Sequence, residues 1–179
     1  FVCAFVDDAL PTVGDAPISF NSVEQYMHWA RGVHSGDIEG ALRVMAAKAP
    51  RECRAIGREI RGFNDDAWSA ISRQVVERGV YLKFDQNPTL AKFLADSGTA
   101  ELVEASPFDA RWGIGFTAAR ARDVSRARWG SNWLGDALMR VRTRLPLQMR
   151  PPLPKALVAA LQGPQVVSPP PVVAGAGSV

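Results

Sequence analysis

The chain has 179 residues, 47% of them hydrophobic and 22% charged, enough for one core of ordinary size and too little for two. Its net charge of +3 names no partner by itself. No apolar run approaches bilayer-crossing length and no charged-then-apolar leader opens the chain, so a soluble protein of cytoplasmic or otherwise intracellular setting, with no membrane association, is expected.

The chain opens on Phe1 rather than Met and is expected to be a piece of a longer polypeptide with flanking domains. The runs "FVCAFV" and "APISF" are short and apolar enough to pair as strands around the Gly14-Asp15 turn. Asn21 or Ser22 then caps a helix that begins "SVEQYMHWAR". Asp37 introduces a second helix, "IEGALRVMAAK", and Pro50 sits at the first turn of a third, "RECRAIGREI". Asn64 precedes a longer one, in which Trp68, Ile71, Val75, Val76 and Val80 recur at helical spacing. Asn87-Pro88 reads as a cap and first-turn proline for "TLAKFLADSG", which Gly98 closes. "ELVEAS" is the clearest later strand, and "NWLGDALMRVRTRL" is the last long helix, again opened by an asparagine cap. From Pro146 onward the chain holds eight of its 13 prolines, so residues 146–179 are expected to be a Pro-rich linker or disordered tail, with room for a short helix at Pro154–Leu161. The sum is a mainly α-helical α+β domain with a small sheet over residues 1–145.

Two cysteines fifty residues apart, Cys3 and Cys53, make no disulfide framework, and with two histidines they make no metal-ligand cluster. Free thiols, no metal and no cofactor are expected. Neither a Walker loop, a dinucleotide glycine fingerprint, a Gly-x-Ser-x-Gly elbow nor a zinc-deaminase signature occurs. Nine arginines lie between Arg111 and Arg150 against Asp123 and Asp136, a bias that suits either a solvated surface or phosphate and nucleic-acid contact. The remaining polar residues are more pointed. Glu24, His28 and Arg31 share one helical face. "SPFDARWGIG" sets Asp109 between an extended run and a Gly-rich turn, with Trp112 beside it, and "KFDQN" sets Lys83 at a helix junction. Each has a plain structural account as well: surface pairing for the first set, a turn-amide acceptor for Asp109, core edge for the tryptophans and a helix-end cation for Lys83.

Taken in order, "FNSVEQYM", "AIGREIRGF", Trp68 with Arg73, "YLKFDQNPTL", "ELVEASPFDARWGIG" and "WGSNWLGDALMRVRTRL" resemble the NADAR family (the YbiA-like superfamily) from about Phe20 to Leu145. The resemblance implies a compact, mainly helical fold and an N-glycosidase that cleaves between a base-like nitrogen and ribose carbon 1. The substrate classes it implies are phosphorylated intermediates of riboflavin synthesis and ADP-ribose attached to guanine in nucleic acid. It places Glu24 and Asp109 on the family's carboxylate positions and Trp112 on its aromatic pocket position. Arg58 or Arg73 is implied for phosphate, and Gly113, Tyr26 and Asn132 for the rest of the substrate-binding set. Family members also use a lysine that forms a Schiff base with the opened ribose.

Two departures bear on that lysine and on the pocket. The residue seven after Glu24, where the family carries lysine, is Arg31, whose guanidinium stays protonated and forms no imine. The early pocket asparagine is Ala4. Lys83 is then the remaining candidate amine. Two readings follow: an active N-glycosidase on an ADP-ribosyl or ribosyl-phosphate substrate, or a catalytically impaired module that binds such nucleotides or other proteins.

Overall fold

Residues 3–12 and 16–163 are described by the structure, a computed structural model; the Gly14-Asp15 turn and the chain from Pro164 lie outside them. Strands β1 (Phe5–Val6) and β2 (Ser19–Phe20) pair antiparallel, with Phe5 opposite Phe20. Both phenylalanines are buried and stack with 5.8 Å between centroids, and Phe20 meets Tyr26 and Trp29 edge-on. This small sheet anchors the start of α1 (Val23–His34). The cap of α1 is Ser22, whose hydroxyl accepts the Gln25 amide.

Around α1 are arranged α2 (Ile38–Ala46), α3 (Pro50–Arg58) and the long α4 (Asp65–Asp85). Gly32 lets α1 approach Ala41 of α2, where an added Cβ would lie 3.0 Å from that residue's backbone. The side chain of Gln25, 2% exposed, donates to the carbonyls of Val44, Met45 and Ala47, closing the end of α2. Helices α1 and α4 run antiparallel, Tyr26 lying against Gly79 at one end and His34 against Trp68 at the other. α5 (Pro88–Asp96), the short α6 (Ala118–Ala121) and α7 (Trp133–Arg144) follow, and α7 packs on the far side of α4.

An ion pair lies inside this core. Asp7 (0% exposed) takes a two-pronged contact from Arg78 (3% exposed), Nε to Oδ2 and Nη2 to Oδ1, and also accepts the Tyr26 hydroxyl at 2.8 Å. Arg78 donates its third nitrogen, Nη1, to the carbonyl of Pro151.

The structure corrects several local expectations. "ELVEAS" joins no ladder: the Asn132 side chain takes its polar groups, accepting from the Glu104 amide and donating to the Leu102 carbonyl, while Ile114 and Ser106 donate to the Glu104 carbonyl. For the same reason Asn132 gives no side-chain cap to α7, and Asn87 gives none to α5 because its amide donates to Ala4 and Lys83 carbonyls. The proline-rich segment does not leave the domain at residue 146. Pro151 is buried on Arg78, and α8 (Lys155–Leu161) packs on α1 through buried Leu157 and Leu161. Pro151, Pro152 and Pro154 lie outside the helices while Leu157 and Leu161 find core, so composition misleads over residues 151–163. Cys3 and Cys53 are free thiols, and among the described residues no helix is long and apolar enough to cross a membrane.

Candidate active site

Glu24 stands in the first turn of α1, where the helix dipole favours a carboxylate. Helical spacing brings His28 beneath it, and α3 brings Arg54 across from it: Nε2 of His28 lies 3.1 Å, and Nε of Arg54 3.2 Å, from the same oxygen, Oε1. Oε2 has no partner among the described residues. The side chain is only 25% exposed. Burial pushes the Glu24 carboxyl up, but the hydrogen bonds from His28 and Arg54, with their charges, outweigh it and hold the group below its ordinary range. Glu24 is therefore an anion at neutral pH with one oxygen committed.

His28 is 5% exposed and sits where Gly57 has no side chain; a Cβ there would be 2.1 Å from Nδ1. Since the carboxylate only accepts, Nε2 carries the proton, and Nδ1 is buried without a partner. These two contacts, Glu24 to Arg54 and His28 to Gly57, show that α1 and α3 run side by side in the same sense.

The loop 104–116 lies within electrostatic reach of Arg54 through Asp109 and Glu104. Asp109 Oδ1 accepts the amides of Arg111 and Trp112, at 2.9 and 2.8 Å, so the residue does hold its own turn. Oδ2 is uncommitted among the described residues. Arg54 is held charged chiefly by Glu24, with the carboxylates of Asp109 and Glu104 adding to the same field. The loop is closed by a run of backbone bonds in which Gly130 to Leu134 donate in turn to Ile114, Ala110, Gly113, Arg111 and Trp112. Arg111 reaches the start of α4, contacting both oxygens of Asp65 at 3.2 and 3.3 Å. Trp112 meets Trp133 edge-on at 5.4 Å, and Arg73 lies over Trp133 with a long 3.5 Å contact to Asp136.

Not every residue implied for the site faces it. Tyr26 is 0% exposed with its hydroxyl on Asp7; it is core and does not reach a substrate. Gly113 is buried, and a Cβ there would lie 2.6 Å from the Glu104 carbonyl, so it is glycine for the loop's sake. Asn132 is buried with φ 48° and spends both side-chain atoms on residues 102 and 104. Arg58 is exposed and touches no described acid; the arginine one turn earlier, Arg54, is the one on Glu24. Lys83 lies half-buried in the last turn of α4, level with the Glu24 end of α1, and has no side-chain contact with Glu24, Asp109 or Arg31 among the described residues. Trp112 is half-buried at the edge of the cluster around Val76, Val80 and Tyr81. Ala4 contributes only its carbonyl.

Arg54, Phe63 and Asp65 are the neighbours that the sequence did not disclose. Arg54 sits thirty residues from Glu24, and its only signal is its place on the polar face of α3. The arginine-rich segment also divides: Arg111, Arg126, Arg140, Arg142, Arg144 and Arg150 each bond a protein oxygen, whereas Arg120, Arg122 and Arg128 have no side-chain partner among the described residues. A separate groove of about 390 Å³ at the α1–α2 turn holds none of these site residues. Asp37 there is consumed by the Arg61 side chain and by the Arg61 and Gly40 amides. Among the described residues no cluster of three or more His, Cys, Asp or Glu is placed for a metal ion.

A partly buried carboxylate on a helix, held anionic with one oxygen uncommitted among the described residues, can meet positive charge. The NADAR domain family matches residues 1–146, and the chain belongs to that family. It is 37% identical over 130 residues to an N-glycosidase of Acanthamoeba polyphaga mimivirus, covering 72% of this chain and 76% of that protein. It is 32% identical over 125 residues to an N-glycosidase of Nostoc punctiforme, covering 69% and 73%. The fold resembles the NMR structure of the E. coli protein YbiA with a TM-score of 0.62, covering 82% of this chain and 75% of that one at 21% identity.

Proposed function

We propose that this chain is an N-glycosidase that hydrolyses the bond between a base-like nitrogen and ribose carbon 1, on an ADP-ribosylated guanine or a ribosylamino-pyrimidine phosphate. The observation that carries the reading is Glu24: both of its partners hold Oε1, leaving Oε2 for the ribose. When the C1–N bond breaks, its electron pair goes to the nitrogen, which takes a proton, and positive charge spreads over carbon 1 and the ring oxygen. A fixed anion in a partly dry site stabilises that charge more than the neutral ground state. Water supplies the hydroxyl at carbon 1, and Asp109, through Oδ2, is the group assigned to take its proton. Arg31 at the family's lysine position removes the imine route there, so direct displacement by water is the course drawn. Arg120, Arg122 and Arg128 support a substrate carried on nucleic acid.

Purified protein incubated with each substrate class is expected to release the base, and Glu24→Gln is expected to lower kcat by roughly a hundredfold to a thousandfold with the melting curve intact. Absence of release from both classes at high enzyme concentration would sink the reading. The second reading, a binding module without turnover, is favoured by Arg31. It predicts ADP-ribose binding in calorimetry that survives Glu24→Gln while no base is released.

A further inference from the structure

Departure of a base from ribose carbon 1 draws on two groups: an anion for the sugar and, when the base is neutral, a proton for its nitrogen. The site supplies the first. Against its burial, the contacts of His28 and Arg54 on Oε1 hold Glu24 as an anion, and Oε2 has no partner among the described residues. Asp109 and Glu104 add two carboxylates within electrostatic reach of Arg54.

No described residue at the site supplies the second. His28 carries its proton on Nε2, where Glu24 holds it, and is 5% exposed. Its other nitrogen is buried without a partner, so the ring has no path to a ligand. Arg54 keeps its proton, which the hydrogen bond to Glu24 holds all the harder. Cys53 lies in the field of Glu24 but is 0% exposed, with Sγ on the Val44 carbonyl; burial, then the Glu24 charge, push its thiol up. Asp109 takes two amides on Oδ1 and is assigned to accept the proton of water. Among the described residues, then, the site meets positive charge and delivers no proton.

That imbalance selects a substrate. Where the base nitrogen of an N-riboside is already quaternary, as in a pyridinium or an N7-alkylated purinium, the base leaves as a neutral molecule and takes no proton. We infer that cationic N-ribosides of this kind are a further substrate class of the Glu24 site, cleaved without a general acid. The C1–N bond breaks and its electron pair cancels the charge of the base. Water forms the new C1–O bond, and its proton passes to Asp109 and on to solvent. The products are the sugar hydroxylated at carbon 1, the neutral base and one proton, and no co-reactant enters. The inference rests on the N-glycosidase reading for the bond that breaks. It goes beyond that reading because the two classes named there must take a proton from solvent as they leave.

The test uses two matched pairs: nicotinamide riboside with its neutral dihydro form for binding, and N7-methylguanosine with guanosine for cleavage. Calorimetry of the whole chain at low temperature, where turnover is slow, is expected to favour nicotinamide riboside by roughly threefold to thirtyfold, the range for an ion pair partly out of water. Glu24→Gln is expected to erase that preference. Chromatography at mildly acidic pH, where N7-methylguanosine is cationic, is expected to show base released from both cationic ribosides above the buffer rate. N7-methylguanosine is expected to outrun guanosine by at least the factor that separates them in buffer, because a site without an acid does nothing for a neutral leaving base. A gap narrowed tenfold or more, equal binding of the riboside pair, or no release from either cationic riboside overturns the inference. Should Glu24→Gln fail to fold, the riboside pair on the unaltered chain decides. The two ideas fail separately. Cleavage of cationic ribosides with both earlier classes inert refutes the substrates named above alone; release from those classes with cationic ribosides inert refutes this inference alone.

Discussion

Replacing Asp7 by asparagine keeps the shape of the side chain and removes the charge that Arg78 needs. Asp7 is 0% and Arg78 3% exposed, so neither water nor rotation supplies a substitute. Removing one partner of a buried pair leaves an uncompensated ion, a loss of about 3–5 kcal/mol. For a domain of this size that lowers Tm by roughly 6–20 °C. Urea and thermal unfolding of Asp7→Asn, Arg78→Met and the double variant measure it. The double variant lacks the orphaned charge, so its loss is expected to fall short of the summed single losses by at least about 1 kcal/mol. The pair also sets acid stability. Burial alone raises the Asp7 carboxyl, but Arg78 and Tyr26 more than reverse it and hold its pKa below the ordinary value. An aspartate in the unfolded chain titrates near about 3.9. The stabilisation is therefore complete above that pH and is lost as pH falls through the lower folded value, and Asp7→Asn flattens this part of the profile. Additive single losses, or a cost for Asp7→Asn under about 1 kcal/mol, would refute the account.

Other expectations bear on the site and its frame. Gly57→Ala puts a methyl group onto His28 and frees Glu24 from one partner; the acid limb of the pH–rate profile is expected to move up, at a stability cost of about 1–3 kcal/mol. Asn132→Ala removes the two bonds that hold residues 102 and 104, and is expected to cost about 1–3 kcal/mol and to lower kcat more than it raises KM. A chain ending at residue 146 loses the Pro151 carbonyl on Arg78 and the buried Leu157 and Leu161, and calorimetry is expected to show it less stable than one ending at 163 by at least about 3 kcal/mol.

What was legible in the sequence was local. Ser22, Asp37 and Asn64 cap helices because a short polar side chain reaches amides two or three residues on, a distance that sequence specifies. Asn87 and Asn132 stand in the same sequence context and do something else, because a partner elsewhere in the chain competes for the same amide. The Glu24–His28 pair follows from helical spacing; Arg54 is brought by the packing of α3, which no spacing encodes. Resemblance marks which stretches matter without separating the residues that touch substrate from those that shape the frame. Tyr26, Gly113 and Asn132 belong to the frame because burial, a close carbonyl and a consumed side chain respectively leave them nothing to offer a ligand.

The loop at 104–116 is neither helix nor strand, yet its main chain is fastened by residues 130–134 as closely as a ladder would fasten it. Its projecting side chains are another matter: Phe108 is 98% exposed, and Arg111 reaches outward to Asp65. Backbone form and surface chemistry are thus under separate control. Substitutions at the projecting positions can therefore change the surface beside Asp109 while the fastened main chain keeps the Asp109 turn in place.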